Sequence, residues 1–261
     1  MLQNIARPGD LPHALPPQPA DESSLRLDLA AAYRLIARFK MADLIETHIS
    51  VRLPGSEHFL INPYGLLFEE ITASSLVKVN LQGEVLSDDS IEPTAWQINP
   101  AGFVIHSAIY PARPDAGCVL HTHSPYVMAV SALQSGLLPL CQIGLQFYNR
   151  VAYHDYEGVS LELDEQERLV NHLGNKKVML MRNHGLLAVG RTVAEAFHLA
   201  YYMEKACEVQ IRAQSTGSPL IEPTPAVCEK SARQQESEQL GELQWQALLR
   251  LLDREAPSYR Q

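Results

Sequence analysis

The sequence predicts a single α/β domain with an appended segment at each end. Three observations favour this fold class: a length of 261 residues, an apolar content of 46%, and short apolar strands that alternate with amphipathic helices. A chain of this length can bury a sizeable core without disulfides. We assign residues 1–23 to a proline-rich tail, 24–215 to the domain, and 216–261 to a linker and a C-terminal helix.

The N-terminal half begins with the tail. Five prolines lie within its first twenty residues, a density that prevents a regular helix. Apolar residues at three- and four-residue spacing then predict a helix over residues 25–45. Short apolar runs predict strands at His48–Arg52 and Phe59–Ile61. Residues 76–86 predict a hairpin that turns at Gln82 and Gly83.

The C-terminal half begins with a helix at Asn99, because asparagine is a favourable N-cap and Pro100 suits the first helical position. We expect this helix to end before Pro111. Ser124 and Pro125 open a second helix by the same arrangement. The other predicted elements are a buried strand at 117–123, strands at 178–181 and 186–189, a helix from a capping box at Thr192 to about 214, and a last helix at about 231–254.

Composition and charge restrict the classes of partner. The chain carries 21 Lys and Arg against 30 Asp and Glu, a net charge of −9, which argues against nucleic acid and anionic membranes. No apolar run approaches the roughly 18 residues of a membrane helix. The first residues also lack the pattern of a signal peptide. The amphipathic stretch at 240–252 has a polar face that is not basic, so we expect it to pack on protein.

The four cysteines, Cys118, Cys141, Cys207 and Cys228, are far apart and form no CxxC pair. This spacing argues against a four-cysteine zinc site and favours buried free thiols. Free thiols in a chain without a targeting signal indicate a reducing compartment, so we expect a cytoplasmic protein.

Three histidines form the strongest chemical signal in the sequence. His121 and His123 end an apolar strand, where residues two apart point to the same face. His184 follows another short apolar strand, in a tight turn with Gly185. Imidazole nitrogens suit zinc and other divalent metals, and three histidines with an open position are the ligand set of a catalytic metal. The alternative is that His184 only caps its turn by hydrogen bonding.

The segments around these histidines resemble the class II aldolase/adducin family. Two motifs carry the resemblance: Pro114-Asp-Ala-Gly-Cys-Val-Leu-His-Thr-His-Ser124 and Asn183-His-Gly-Leu-Leu-Ala-Val-Gly190. Three further segments match in order, namely Ile49-Ser-Val-Arg52, Leu60-Ile-Asn-Pro-Tyr-Gly65 and His106-Ser-Ala-Ile-Tyr110. The resemblance covers about residues 25–215.

The resemblance implies a three-layer α/β/α sandwich around a largely antiparallel central sheet. It also implies a divalent metal, zinc, bound by His121, His123 and His184. In enzymes of the family the metal polarises the carbonyl of a small ketose phosphate or keto acid while a carbon–carbon bond is made or broken. Their active sites lie between the subunits of a homo-tetramer, so the resemblance predicts a homo-oligomer.

The sequence departs from the sugar-phosphate aldolases where their chemistry takes place. Their Ser-Ser-Glu run matches Pro100-Ala-Gly102, so Gly102 stands at the position of the acid/base glutamate. Their early asparagine, a phosphate contact, matches His48. Their tyrosine proton donor falls near Ile143, and Gln142 lies where a dehydratase has a glutamate. Since loss of one such donor costs roughly 10² to 10⁴ in rate, phospho-aldolase activity is not expected.

Weaker candidates remain for catalysis and substrate binding. His106 precedes the histidine pair and is a candidate to orient a metal ligand, with a structural hydrogen-bonding histidine as the alternative. Gln142 and Glu157 are the other catalytic candidates. The substrate-binding candidates are His48, Asn62, Gly65 and Gly102.

Two functional hypotheses follow from the sequence. The first is a metal-dependent aldolase-type lyase that acts on a small carbonyl compound without phosphate, such as a hydroxy keto acid. The second is a catalytically silent family member that acts as a binding or scaffold protein. The runs at residues 99–103 and 152–158, which resemble the adducin-type branch, favour the second hypothesis.

Overall fold

The computed structural model describes residues 21–86, 98–158 and 165–261. Residues 1–20 of the predicted tail at 1–23 therefore lie outside the described residues. The described part opens with helix α1 (Glu22–Arg38). The side chain of Asp21 accepts a hydrogen bond from the backbone N–H of Ser24 at 2.8 Å, so α1 begins inside the segment predicted as tail.

The strands form one sheet of eight. They are β1 (His48–Arg52), β2 (Phe59–Ile61), β3 (Val77–Val79), β4 (Val85–Leu86), β5 (Cys118–Thr122), β6 (Val151–His154), β7 (Val178–Met181) and β8 (Gly185–Gly190). Among the described residues their order is β4-β3-β2-β1-β5-β8-β7-β6, which places β5 between β1 and β8. These neighbours pair antiparallel except β6 and β7, which are parallel.

The further helices are α2 (Pro100–Ala112), α3 (Pro125–Ser131), α4 (Gln142–Leu145), α5 (Glu165–Leu173), α6 (Val193–Gln214), α7 (Pro225–Gln235) and α8 (Glu242–Glu255), followed by a 3₁₀ helix at Pro257–Arg260. None of the described helices has both the length and the apolar content needed to cross a bilayer. Helix α2 continues through Pro111, before which the sequence predicted that it would end, and it stops one residue later at Ala112. Pro111 removes one backbone donor, but the following turn is still closed by Arg113 N–H, which donates to the Ile109 carbonyl at 2.9 Å.

Helices cover both faces of the sheet. One core lies between the sheet and helices α1, α3, α6 and α8, and a second lies between the sheet and helices α2 and α5. Successive side chains of β5 point to opposite faces of the sheet. Cys118 and Leu120 therefore belong to the first core, and Val119 belongs to the second. The predicted three-layer α/β/α sandwich with a largely antiparallel sheet is confirmed.

Helix α1 is shorter than predicted, since it ends at Arg38 and not near residue 45. Lys40 and Leu44 adopt left-handed backbone conformations, with φ of 58° and 45°, which a right-handed helix does not contain. The chain therefore forms a loop after α1. This loop carries Asp43, which contacts the candidate site described below.

The C-terminal segment contains two helices where the sequence predicted one at about 231–254. Gly241 precedes α8 with a φ of 86°, a left-handed conformation that glycine adopts without steric cost. Trp245 of α8 is buried and donates from Nε1 to Asp28 Oδ1 at 3.0 Å, which attaches α8 to α1. The expectation that this amphipathic stretch packs on protein is confirmed.

Helix α3 follows the histidine pair directly, and its N-terminus is held by a residue other than the predicted cap. Ser124 occupies the N-cap position, but its side chain makes no capping hydrogen bond. The buried carboxylate of Glu204 in α6 instead accepts from the backbone N–H groups of Tyr126 at 3.2 Å and Val127 at 2.9 Å. A negative charge is favourable at a helix N-terminus, so this contact anchors α3 to α6.

We predict that Glu204→Ala lowers the free energy of unfolding by about 2–3 kcal/mol, because two backbone donors lose their acceptor. Glu204→Gln keeps one acceptor oxygen and should lose about half as much. Urea denaturation of the three proteins measures the difference. Equal midpoints for the parent and the alanine variant would show that Glu204 does not anchor α3.

Candidate metal centre

Three histidine side chains converge at the end of strand β5. His121 lies in β5 and His123 comes directly after it, so both point to the same side of the sheet. His184 comes from the turn between β7 and β8, and β8 is the antiparallel neighbour of β5. Nε2 of His121 and Nε2 of His184 each lie 3.0 Å from Nε2 of His123. One nitrogen of each ring lies within 4.8 Å of the others, so the structure brings the three predicted residues together.

The partners of the Nδ1 atoms determine which nitrogens face the centre of this cluster as acceptors. His121 Nδ1 lies 2.9 Å from the carbonyl oxygen of Leu186, and His123 Nδ1 lies 3.0 Å from Asp43 Oδ2. Both partners are acceptors, so in each ring Nδ1 carries the proton and Nε2 presents a lone pair. Two lone pairs at 3.0 Å repel each other, and a cation between them removes the repulsion. The donor set therefore fits a divalent metal that prefers nitrogen ligands.

Burial favours the uncharged form of these imidazoles. Burial, together with neighbouring histidines, lowers the pKa of His121 well below its usual range. Burial and the nearby His123 lower the pKa of His184 to about 4. Metal ligation requires a neutral imidazole, so both rings have the required charge state at neutral pH without first losing a proton.

The turn that carries His184 depends on close backbone packing. Asn183 has a φ of 55°, a left-handed conformation that asparagine tolerates better than most residues. At Gly185 a Cβ atom would lie 2.4 Å from the carbonyl oxygen of Thr122, a distance that no side chain permits. Glycine at this position thus allows β8 to start beside the end of β5, which brings His184 next to His123.

Strand β1 places a fourth histidine against the cluster. His48 is the pairing partner of His121 in the β1–β5 register, and the two rings stack with centroids 4.9 Å apart and an interplanar angle of 25°. His48 Nδ1 lies 2.7 Å from Nε2 of His106 in helix α2. Both side chains are buried, and burial is the main cause that lowers the pKa of each, in His106 to about 3.

A buried chain of hydrogen bonds continues from His106. His106 Nδ1 is hydrogen-bonded to Ser50 Oγ, and Ser50 Oγ lies 2.7 Å from the hydroxyl oxygen of Tyr110. The chain therefore runs from Tyr110 through Ser50 and His106 to His48, which lies against the metal-ligand candidate His121. The hydrogen-bond partners of His106 are His48 and Ser50, so its hydrogen-bonded connection to the cluster runs through His48.

Gly102 lies where His48 enters the site. A Cβ atom at position 102 would be 2.8 Å from Cδ2 and 2.9 Å from Cγ of His48. The imidazole of His48 therefore fills the space that a side chain at position 102 would need. This packing brings together two of the predicted substrate-binding candidates.

The other two substrate-binding candidates lie apart from this contact. Asn62 is buried, and its Oδ1 accepts a hydrogen bond from the hydroxyl of Tyr33 in α1 at 2.8 Å. Tyr33 belongs to the core on the face opposite to α2, so Asn62 is engaged on that face. Gly65 is exposed in the loop after β2. Substrate binding by Asn62 and Gly65 stays a prediction.

The two remaining catalytic candidates differ in their distance from the histidines. Gln142 is exposed at the start of α4, which packs against α6 and α7. Its backbone carbonyl accepts from Gln235 Nε2 at 3.2 Å. Glu157 pairs with Arg168 at 2.6 Å and lines a small crevice that also contains His184. Of the two, Glu157 therefore lies closer to the candidate metal centre.

Sequence reasoning missed two residues beside the cluster. Asp43 contacts His123 but precedes it by 80 positions and lies in a loop where the sequence predicted helix. Tyr156, on the segment after β6, has its ring centroid 6.3 Å from that of His184 and is 54% exposed. Tyr156 directly precedes the catalytic candidate Glu157, but no spacing pattern in the sequence distinguishes its ring.

The sequence matches the family model of the Class II Aldolase and Adducin N-terminal domain over residues 27–211. The chain belongs to this family. A solved relative, an aldolase II superfamily protein from Pseudomonas syringae, is 48% identical with a TM-score of 0.86, and the match covers 95% of this chain and 98% of that one.

Two other similar proteins carry different names, one that of an aldolase and one that of an adducin. An L-fuculose 1-phosphate aldolase from Glaciozyma antarctica has a solved structure that is 31% identical, with a TM-score of 0.84 over 95% of this chain and 97% of that one. Alpha-adducin from Rattus norvegicus is 44% identical over 250 residues, which are 89% of this chain and 33% of the adducin. The proteins similar to this chain therefore include both a named aldolase and an adducin.

We predict that His106 makes the stability of the protein depend on pH. The pKa of His106 is lowered to about 3, while a histidine in the unfolded chain has a pKa of about 6.5. Only the unfolded state therefore takes up this proton as the pH falls below about 6.5, and stability is lost progressively towards pH 3. At pH 5 this one group should lower the free energy of unfolding by about 2 kcal/mol relative to neutral pH.

The measurement is urea denaturation at pH 7 and pH 5 for the parent and for His106→Gln. The variant cannot take up the proton, so its stability difference between the two pH values should be smaller by about 2 kcal/mol. Because each protein is compared with itself, a loss of absolute stability in the variant does not affect the result. Identical differences would contradict the assigned role of His106.

Proposed function

We propose that the protein is a zinc-dependent lyase of the aldolase type that acts on a small carbonyl compound. The observation that carries this proposal is the pair of Nε2 lone pairs of His121 and His123, held 3.0 Å apart by the acceptors bound at their Nδ1 atoms. His184 adds a third nitrogen to the same point. Three histidines with an open position are the ligand set of a catalytic zinc.

The chain's own residues would prepare this centre before a substrate arrives. His121, His123 and His184 would hold the metal, while Asp43 and the Leu186 carbonyl orient two of these rings. A divalent metal bound there would polarise a substrate carbonyl and stabilise the negative charge that develops when the adjacent carbon–carbon bond breaks. Tyr156, which is exposed and whose ring lies near that of His184, is a candidate to transfer a proton to or from the substrate.

The proposed substrate is a carbonyl compound without phosphate, such as a hydroxy keto acid. The phosphate-contacting serines and the acid/base glutamate that the resemblance predicts are replaced by Pro100-Ala-Gly102. His48 occupies the space beside Gly102, so the position differs in shape as well as in chemistry. The fuculose 1-phosphate aldolase among the similar chains supports aldol chemistry, and its named substrate makes a phosphorylated sugar the comparison to test.

A second function is a catalytically silent binding or scaffold protein. The observation that favours it is the 44% identity to alpha-adducin over 250 residues. Under this proposal the fold and the histidine cluster would remain, but no substrate would be turned over. Under both proposals the protein forms a homo-oligomer, and the candidate metal centre lies close to an interface between its subunits.

The first test is the metal content of protein purified without chelator. We expect about one zinc or similar ion per chain, because the three histidines provide one centre. The His121→Ala/His123→Ala variant should contain none, and a His58→Ala variant serves as a matched control outside the cluster. A parent protein that takes up no metal, even after loading with zinc, would rule out the lyase mechanism.

The metal-loaded protein should then be screened for retro-aldol cleavage of hydroxy keto acids beside L-fuculose 1-phosphate. The lyase proposal predicts pyruvate or a related product from a substrate without phosphate, at a rate that falls to background in the double variant. Cleavage of the phosphorylated sugar alone would reject the proposed substrate class. Full metal occupancy without cleavage of either type would favour the scaffold function.

A further prediction concerns Asp43. Asp43→Asn removes the carboxylate that orients His123, so the affinity for zinc should fall by about 10- to 100-fold. Competition with a chromogenic chelator measures this affinity. Asp115→Asn, a change in a carboxylate paired with Arg113 on the surface, is the matched control and should leave zinc affinity unchanged. Equal zinc affinity in the parent and Asp43→Asn would show that Asp43 has no role at the centre.

A further inference from the structure

We infer that His48 is a hydrogen-bond donor to the ligand bound at the three-histidine centre, acting through its Nε2–H. The Tyr110–Ser50–His106 chain sets the tautomer of His48, and Gly102 provides the space for its ring. This inference rests on the proposed function, because it deepens the description of the same site. It assigns a donor atom and a tautomer to His48, which the sequence offers only as a substrate-binding candidate, and it adds three residues that position this side chain.

The direction of the hydrogen-bond chain follows from its far end. Among the described residues, Ser50 Oγ is the sole hydrogen-bond partner of the Tyr110 hydroxyl, which is buried. A buried hydroxyl proton needs an acceptor, so Tyr110 donates to Ser50. The single proton of the Ser50 hydroxyl is then available for His106 Nδ1, which accepts it.

The same reasoning sets both imidazoles. Burial keeps His106 neutral, so the ring that accepts at Nδ1 carries its proton at Nε2. His106 Nε2–H therefore donates to His48 Nδ1 across 2.7 Å. A neutral His48 that accepts at Nδ1 carries its own proton at Nε2. In the alternative arrangement His48 donates to His106, His106 donates to Ser50, and Ser50 donates to Tyr110. The Tyr110 hydroxyl proton is then buried without an acceptor.

The free end of the hydrogen-bond chain lies beside the candidate metal centre, because the His48 ring packs on that of His121. The side-chain hydrogen bond of the His48 ring is made at Nδ1, which His106 engages, while Nε2 lies 3.2 Å from the point that a Cβ atom at position 102 would occupy. The ring stacks on His121, its partner in the β1–β5 register, at 4.9 Å. A fixed donor beside the ring of a ligating histidine is placed to contact an oxygen atom of a substrate in the centre. This contact would favour substrates that develop negative charge on that oxygen.

Gly102 explains why this donor is available in this chain. Its missing side chain leaves the space in which Cδ2 and Cγ of His48 lie, 2.8 and 2.9 Å from the point that a Cβ atom would occupy. A residue with a side chain at position 102 would displace the imidazole. The donor and the glycine therefore form one structural unit, in which a donating group from β1 takes up the space beside the first turn of α2.

The first experiment measures the tautomer directly in metal-free protein. A long-range ¹H–¹⁵N correlation spectrum of ¹⁵N-labelled protein distinguishes a protonated ring nitrogen from a bare one, and the spectrum of His48→Gln assigns the signals. We expect protonated Nε2 and bare Nδ1 in both His48 and His106. A protonated Nδ1 in His48 would overturn the inference. This result does not depend on metal binding or on turnover, so it stands apart from failure of the proposed function.

The second experiment measures the contact to a ligand. Oxalate, a small dianion that binds zinc through oxygen, is titrated calorimetrically into the zinc-loaded protein. His48→Leu removes the donor and should weaken oxalate binding about tenfold at unchanged zinc content. His48→Gln restores an N–H donor and should lie within about threefold of the parent. Equal oxalate affinity in the parent and His48→Leu would overturn the inference even if zinc binds as proposed.

Discussion

The antiparallel pairing of β5 with both of its neighbours is the constraint on which the candidate site depends. Its register with β1 sets His48 opposite His121, and its register with β8 brings the turn containing His184 to the end of the strand. A shift of one residue in either pairing would move a histidine to the opposite face of the sheet. The site is therefore a property of the sheet register, and the two helical layers stabilise that register from both sides.

Placing so many imidazoles in the interior works against stability, and their hydrogen-bond partners offset part of that effect. Burial disfavours the charged form of His48, His106 and His121 and so lowers the pKa of each. Each of these rings has a buried acceptor or donor at Nδ1, which fixes both its orientation and its tautomer. The rings are thus held in the form required for ligand binding before any ligand is present, so little reorganisation is needed on binding.

The sequence predicts the parts of this structure that depend on local pattern. The alternation around His121 and His123, the turn at His184 and the cap at Thr192 each require only neighbouring residues, and the structure contains all three. The predicted capping box differs in one contact, because the Glu195 carboxylate accepts from the backbone N–H of Arg191 and not from that of Thr192. Contacts between distant segments could not be predicted in this way. Glu204 caps α3 from 77 residues away, and Asp43 reaches His123 only because α1 ends at Arg38.

The functional residues show the same difference between local patterns and contacts of distant segments. The histidines were found because their spacing along two strands is characteristic, whereas the chain from Tyr110 to His48 joins residues of a helix and a strand 56 or more positions apart. Its members stood in segments that resemble the family, but neither their mutual contacts nor their proton positions follow from that resemblance. The break at Gly241 was missed because a glycine inside an amphipathic pattern does not by itself end a helix.

The packing of His48 against Gly102 also constrains how the family can diversify. The two positions belong to different elements and lie far apart in the sequence, yet they share one volume of space. Neither can be exchanged freely, since a larger residue at 102 requires a smaller one at 48. Substitutions at these positions should therefore be correlated across homologous sequences, and a change at only one of them would have to pass through a poorly packed intermediate during evolution.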